Sequence, residues 1–184
     1  MPLSEMIAGI KEKDRRFQQQ FFRHYRPRMM IVCQRYIPRE EDREEICMDG
    51  FVKAFTSIAT LQTTTEAGVF SWLRRTMINT CINFLKQRKS IFTISEMEAM
   101  NVGFEADFLS KLSADEIRAH IARMPPGYKV VFNLSVMDGY SNNEIAELLR
   151  IKPKTVSSQL IKSTNHLQKI LIPIGIDYGN KKKQ

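Results

Sequence analysis

The stretch GYSNNEIAELLRIKPKTVSSQLIKSTNHLQKIL, residues 139–171, sets the character of the C-terminal half of the chain. Ser141 and Glu144 form an S-x-x-E capping box, which satisfies free amides at a helix start. Ile145, Ala146, Leu148 and Leu149 then supply an apolar face. The turn RIKP leads into a second helix, and Pro153 suits its first turn, where no amide donor is needed. Two short helices joined by about four residues, with the small Ala146 allowing a close crossing, have the sequence shape of a helix-turn-helix.

On a helical wheel, Val156, Leu160, Thr164, Leu167 and Leu171 gather on one side of the second helix. The opposite side carries Thr155, Ser158, Gln159, Lys162, His166 and Lys169. Small hydroxyls and an amide near the N-terminal end, with lysines further along, suit a helix lying in a DNA major groove. A solvated amphipathic helix has the same outline. His166 has no second histidine placed to make a metal or acid-base site.

Working outward, MPPG at 124–127 and MDGY at 137–140 break the C-terminal block into helices near 115–123, 127–136, 141–149 and 154–171. A first block shows apolar residues at three- and four-residue spacing, giving helices near 3–25, 28–37, 40–58 and 68–89, with Pro27 and Pro38 as breaks. Between the blocks the texture loses its period and most of its positive charge, which reads as a linker. The expectation is an all-α chain of two small helical domains, 1–90 and 114–172, joined by a 91–113 linker and followed by a basic tail, 173–184, that frays.

The 28 Lys and Arg against 20 Asp and Glu give +8, so a polyanion is the first partner to test, nucleic acid ahead of a membrane surface. Cys33, Cys47 and Cys81 have no zinc or disulfide spacing and read as small buried residues in a reducing compartment. No signal core or membrane span is legible, so the expected location is cytoplasmic and membrane insertion is not expected. No Gly-rich phosphate loop or usable His, Cys or carboxylate pair points to an enzyme, and no catalytic residue, metal or cofactor is assigned.

The chain's only tryptophan lies in FSWLRRTMINTCINFLKQRK, residues 70–89. The wheel gathers Leu73, Met77, Cys81, Phe84 and Leu85 into an apolar stripe, with Ile78 at its edge. Trp72 falls on the other side with Arg75, Thr76, Asn79, Asn83 and Lys86; Ile82, near that face, is unexplained. A ring, amides and cations together suit an unpaired base and its backbone; packing of Trp72 on the neighbouring loop is the alternative, and a half-packed Trp satisfies both. In REEICMDGFVKAFTSI, residues 43–58, Cys47, Phe51, Ala54, Phe55 and Ile58 point inward. Glu45, Asp49, Val52 and Thr56 point outward, with Met48 on the boundary. Such an acidic face is poorly placed for DNA and suggests a protein partner or plain solvation.

Taken in order, REEICMDGFVKAF, FSWLRRTMINTCINFLKQRK and MPPGYKVVFNLSVMDGYSNNEIAELLRIKPKTVSSQL, with the preceding FQQQFFRHYRPRMM, resemble the bacterial RNA polymerase sigma factors of the extracytoplasmic-function (ECF) group. The resemblance covers roughly residues 17–89 and 115–171. It implies a sigma domain two that binds polymerase and melts the −10 element, and a sigma domain four that reads the −35 element. Glu45, Met48, Asp49, Phe51 and Val52 would fall in the segment docking on the polymerase clamp helices. Trp72 would stand at the position of the family's domain-two Trp and Asn79 at that of the Asn that contacts a base flipped out of the −10 element, within a −10 surface of Trp72, Arg75, Thr76, Asn79, Asn83 and Lys86, with Trp72 expected to shape the pocket from behind. The loop TLQTTTEAG, 60–68, corresponds to the −10 specificity loop.

Lys154, Thr155, Ser158, Gln159 and Lys162 would read the −35 duplex. The sequence departs from the family pattern at Met48 (usually Gln), Asn83 (Asp), Arg150 (the turn Gly), and at Ser157 and Gln159, where Lys and Arg are common. Affinity of domain four is therefore expected to rest on Lys154, Lys162 and Lys169. Core RNA polymerase, promoter DNA and an anti-sigma factor are the implied partners. A helix-turn-helix regulator acting without polymerase, or a helical interaction adaptor, are the alternatives.

Overall fold

The computed structural model describes residues 2–88 and 119–171, the last four as backbone alone. The chain divides into two compact units, Met1–Arg88 and Lys89–Gln184. The expected linker, the tail and the Lys169 side chain lie outside the described residues.

In the N-terminal unit, α1 (Leu3–Lys11), α2 (Arg15–Gln34), α3 (Glu40–Thr56) and α4 (Glu66–Gln87) pack together, with a short 3₁₀ turn at Ile58–Thr60. The first break falls at Lys13, which takes a left-handed φ of 62°, and not at Pro27. Asp14 caps α2 by accepting from the Arg16 amide at 2.8 Å, and the helix runs through the proline. A proline inside a helix costs about 3 kcal/mol. Phe21, Tyr25, Met29, Val32 and Cys33 form a buried stripe on both sides of Pro27, and their burial outweighs that cost.

The core holds Phe21, Tyr25, Phe51, Leu73, Met77 and Ile82, all closed to solvent. Phe22 stacks edge-on against Phe51, with ring centroids 4.8 Å apart. Helices α3 and α4 cross where Gly50 faces Met77, so tightly that a Cβ at Gly50 would overlap the Met77 sulfur. The inward arc of α4 is wider than the expected stripe, because the helix contacts both α2 and α3. It takes in Ile82 and Thr80, while Phe84 and Leu85 are half-buried. Thr80 is tolerated inside because its hydroxyl donates to the Thr76 carbonyl at 2.9 Å.

In the C-terminal unit residues 119–122 are helical, followed by α5 (Pro126–Phe132), a π-turn (Asn133–Met137), α6 (Asn142–Leu149) and α7 (Pro153–Leu171). Met124, Phe132 and Leu167 form one buried cluster, with Ile121 against it. Val131, Leu134, Ile145 and Val156 are fully buried beside α6 and α7.

Candidate functional site

The capping box at the start of α6 is complete: the Glu144 amide donates to Ser141 Oγ at 3.3 Å and the Ser141 amide to Glu144 Oε2 at 2.9 Å. The helix ends on Arg150, whose φ of 56° and ψ of 44° place it in the left-handed region. Glycine reaches that region without the clash that a Cβ brings. Asn142 at the start of α6 donates to Ser157 Oγ on α7 at 3.2 Å, tying the two helices. Ser157 is thus engaged in the crossing.

The face of α7 differs from the wheel in one respect that bears on function. Its buried positions are Val156, Gln159, Ser163 and Leu167, with Leu160 half-buried and Thr164 exposed. Gln159 is only 7% exposed, so it belongs to the packed side and not to the DNA-facing side expected of it. Ser163 goes inward because its hydroxyl donates to the Leu160 carbonyl at 2.7 Å. Lys154, Ser158 and Lys162 are exposed as expected, and Thr155 is half-buried.

On α4, Trp72, Thr76, Asn79 and Asn83 succeed one another at three- and four-residue spacing and so share one face. Trp72, Thr76, Asn79 and Lys86 are half-buried; Arg75 and Asn83 are exposed. Thr76 Oγ1 donates to the Trp72 carbonyl at 3.1 Å, which fixes the hydroxyl along the helix. At the head of the helix Thr65 accepts from the Gly68 amide, and Thr63 and Thr65 share a 3.0 Å hydrogen bond. The 60–68 loop is therefore ordered by its own threonines.

Glu66 anchors that end of α4 on α2. It accepts from the Tyr25 hydroxyl and from Arg28, each at 2.7 Å, and Arg28 lies 3.9 Å over the Phe70 ring. Burial opposes the charged form of Glu66, but the hydrogen bonds from Tyr25 and Arg28 prevail and hold its carboxyl below the usual range. Burial first, then the Glu66 carboxylate, pushes the Tyr25 hydroxyl up. Sequence periodicity gave no hint of this cluster, since its members lie about 40 residues apart.

The outer face of α3 carries Glu45, Met48, Asp49 and Val52, all exposed. Met48 is 51% and Val52 60% exposed, unusual for apolar side chains on one helix face. Phe51, at 1%, lies beneath this surface and not on it, because it is locked into the aromatic cluster of α2. With Phe22 and Phe55 it floors a groove of about 480 Å³, edged by Met48 and Val52 and by Arg15, Arg16, Gln18 and Gln19 of α2.

The sigma-70 region 2 family model matches residues 21–91, and the sigma-70 region 4 model matches residues 114–162. Among curated relatives, an RNA polymerase sigma-H factor of Pseudomonas aeruginosa is 21% identical, covering 92% of this chain and 94% of its own. The ECF RNA polymerase sigma factor SigW of Bacillus subtilis is 22% identical, covering 93% and 97%. The chain belongs to the ECF sigma factors. The sigma factor RpoE of Bartonella quintana, solved with the anti-sigma factor NepR, shares the fold at a TM-score of 0.51 and 14% identity, over 84% of this chain and 96% of that one. In this sigma factor one described unit holds a helix-turn-helix, and the other holds a mixed aromatic and amide face on α4 and an acidic-apolar face on α3. Among the described residues no helix is long and apolar enough to cross a membrane.

Proposed function

We propose that this ECF sigma factor, which binds core RNA polymerase, recognises promoter DNA and initiates transcription, divides the work among three surfaces. The observation that carries the reading is the single face of α4 on which Trp72, Thr76, Asn79 and Asn83 come together. Unstacking a base costs a few kcal/mol, which a site can offset by giving the base a ring and hydrogen-bonding edges. Asn79 and Asn83 offer those edges, Arg75 and Lys86 the positive charge. Trp72, half-buried, forms the wall behind the base.

The α3 face of Glu45, Met48, Asp49 and Val52 docks on polymerase, with Phe51 holding its shape from below. On α7, Lys154, Thr155, Ser158 and Lys162 face the upstream duplex, and the lysines make much of that affinity electrostatic. Phosphodiester chemistry belongs to the polymerase; the chain contributes recognition and melting without a catalytic residue or cofactor of its own. It works in the cytoplasm, and an anti-sigma factor covering these faces would hold it inactive.

Run-off transcription with purified core polymerase on a promoter library, with and without the protein, tests this. Stimulation is expected, and Asn79→Ala should lose promoter opening while retaining polymerase binding. Duplex binding with no stimulation, where a control sigma factor works, would instead favour a regulator acting without polymerase.

A further inference from the structure

With Gln159 turned into the packed side of α7, the exposed face of that helix has a different composition from the one read off a wheel. Lys154, Ser158, Lys162 and Asn165 are exposed, and among them stands Ile161, 61% exposed. Positions 154, 158, 161, 162 and 165 fall within an arc of about 100° on the helix and so form one face. Ile161 lies about 10 Å along the helix axis from Lys154, within the first three turns.

A lone exposed apolar side chain is ordinary on a protein surface. Ile161 differs in its setting, a branched aliphatic group ringed by the lysines and the serine that face the duplex. Hydrogen-bonding groups in a major groove read base edges, but thymine also presents a 5-methyl group there, which takes an apolar contact. Neither Lys154, Ser158 nor Lys162 can make that contact well.

We infer that Ile161 is a specificity-determining residue that packs on the 5-methyl group of one thymine in the upstream promoter element. The inference rests on the sigma-factor reading above. It assigns to an aliphatic side chain the discrimination that Gln159, being buried, does not provide.

The test uses holoenzyme assembled from core polymerase and the full chain, wild type, Ile161→Val or Ile161→Ala, on a promoter the wild type selects. Each thymine of the upstream element, on both strands, is replaced in turn by deoxyuridine, which removes the 5-methyl group alone. At one position the wild type should lose about fourfold in promoter binding, the worth of one buried methylene-sized group. Ile161→Ala should show a similar loss on the normal promoter and no further loss with uracil, and Ile161→Val should stay close to the wild type.

Tolerance of uracil at every position, or equal losses in wild type and Ile161→Ala, would overturn the inference. So would weaker core binding by Ile161→Ala, which would put the side chain against polymerase. A wild-type holoenzyme that selects no promoter removes the sigma-factor reading itself, and shows it before any uracil is introduced.

Discussion

Arg88, at the C-terminal cap of α4, donates two hydrogen bonds to the carboxylate of Asp42 in the first turn of α3, at 2.8 and 3.0 Å. The pair joins the helix carrying the acidic face to the helix carrying Trp72, Asn79 and Asn83. It also sets a carboxylate at a helix N-terminus and a guanidinium at a C-terminus, each favourable to its helix dipole. Asp42 is buried and Arg88 stacks on Phe84 at 4.4 Å. Arg88→Ala should destabilise the N-terminal unit by about 1–2 kcal/mol, because it leaves a buried carboxylate short of donors. Arg88→Lys should restore only part, lacking the two-pronged geometry. Urea unfolding followed by Trp72 fluorescence reads this unit alone, since no other tryptophan is present.

Glu66 predicts an acid-sensitive contribution. Its folded-state carboxyl titrates below the usual range, so the stability it adds is fully present above the unfolded value, about 4.3. That stability disappears as pH falls through the lower, folded value. Glu66→Gln should therefore be less stable than wild type at pH 7, by under about 1 kcal/mol because the side chain is half exposed and screened. The two proteins should converge once pH falls well below 4. A gap that stayed constant with pH would show that the charge is irrelevant.

The tight crossing of Gly50 and Met77 makes a steric prediction. Gly50→Ala should cost about 1–3 kcal/mol by overpacking a closed core. In a Met77→Ala background the same change should cost much less, since the sulfur it meets is gone. Additive costs in the double variant would mean that the contact with Met77 does not set the effect, since helix propensity by itself favours alanine over glycine.

Arg150 occupies a left-handed position that glycine would fill without strain. Arg150→Gly should stabilise the helix-turn-helix by about 1 kcal/mol. Slower hydrogen exchange of the α6 amides would record it, and unchanged exchange would indicate that the arginine side chain makes a compensating contact.

Salt dependence separates the two neighbours on α7. Lys162→Ala should lower the slope of log affinity against log salt by about 0.9, the share of one phosphate contact. Gln159→Ala should leave the slope alone, because its side chain is packed inside.

The helix-turn-helix was legible because its signals are local: a capping box, a proline at a first turn and an apolar repeat. The faces of α3 and α4 were legible for the same reason, down to the exposed Glu45, Asp49 and Val52. What the sequence misplaced were Gln159, which is inward, and a break at Pro27, while other inward polar residues carried no signal either way. Ser163 and Thr80 are polar by composition yet bond their own helix backbone, so a wheel cannot sort them. Gln159 followed α7 inward because the arc of burial is set by neighbouring helices, which sequence period does not specify. Pro27 looked like a break because local propensity opposed the helix, and burial of residues on either side overruled it. The signal for Ile161 in the sequence is an isoleucine set between Ser158 and Lys162 on an otherwise polar face.

The three cysteines have a practical consequence. Cys33, Cys47 and Cys81 are all free and buried in the N-terminal unit, and Cys33 stands against both others. Contact with Cys47 favours the Cys33 thiolate, but Cys81 and burial override it; contact with Cys33 and burial push the Cys47 thiol up. Such thiols react slowly, and the sequence beyond residue 81 has none. A cysteine introduced at exposed Asn165 would thus take a maleimide dye almost alone in the native chain. The native three would then serve as a clock, consuming reagent only as fast as the N-terminal helices come apart.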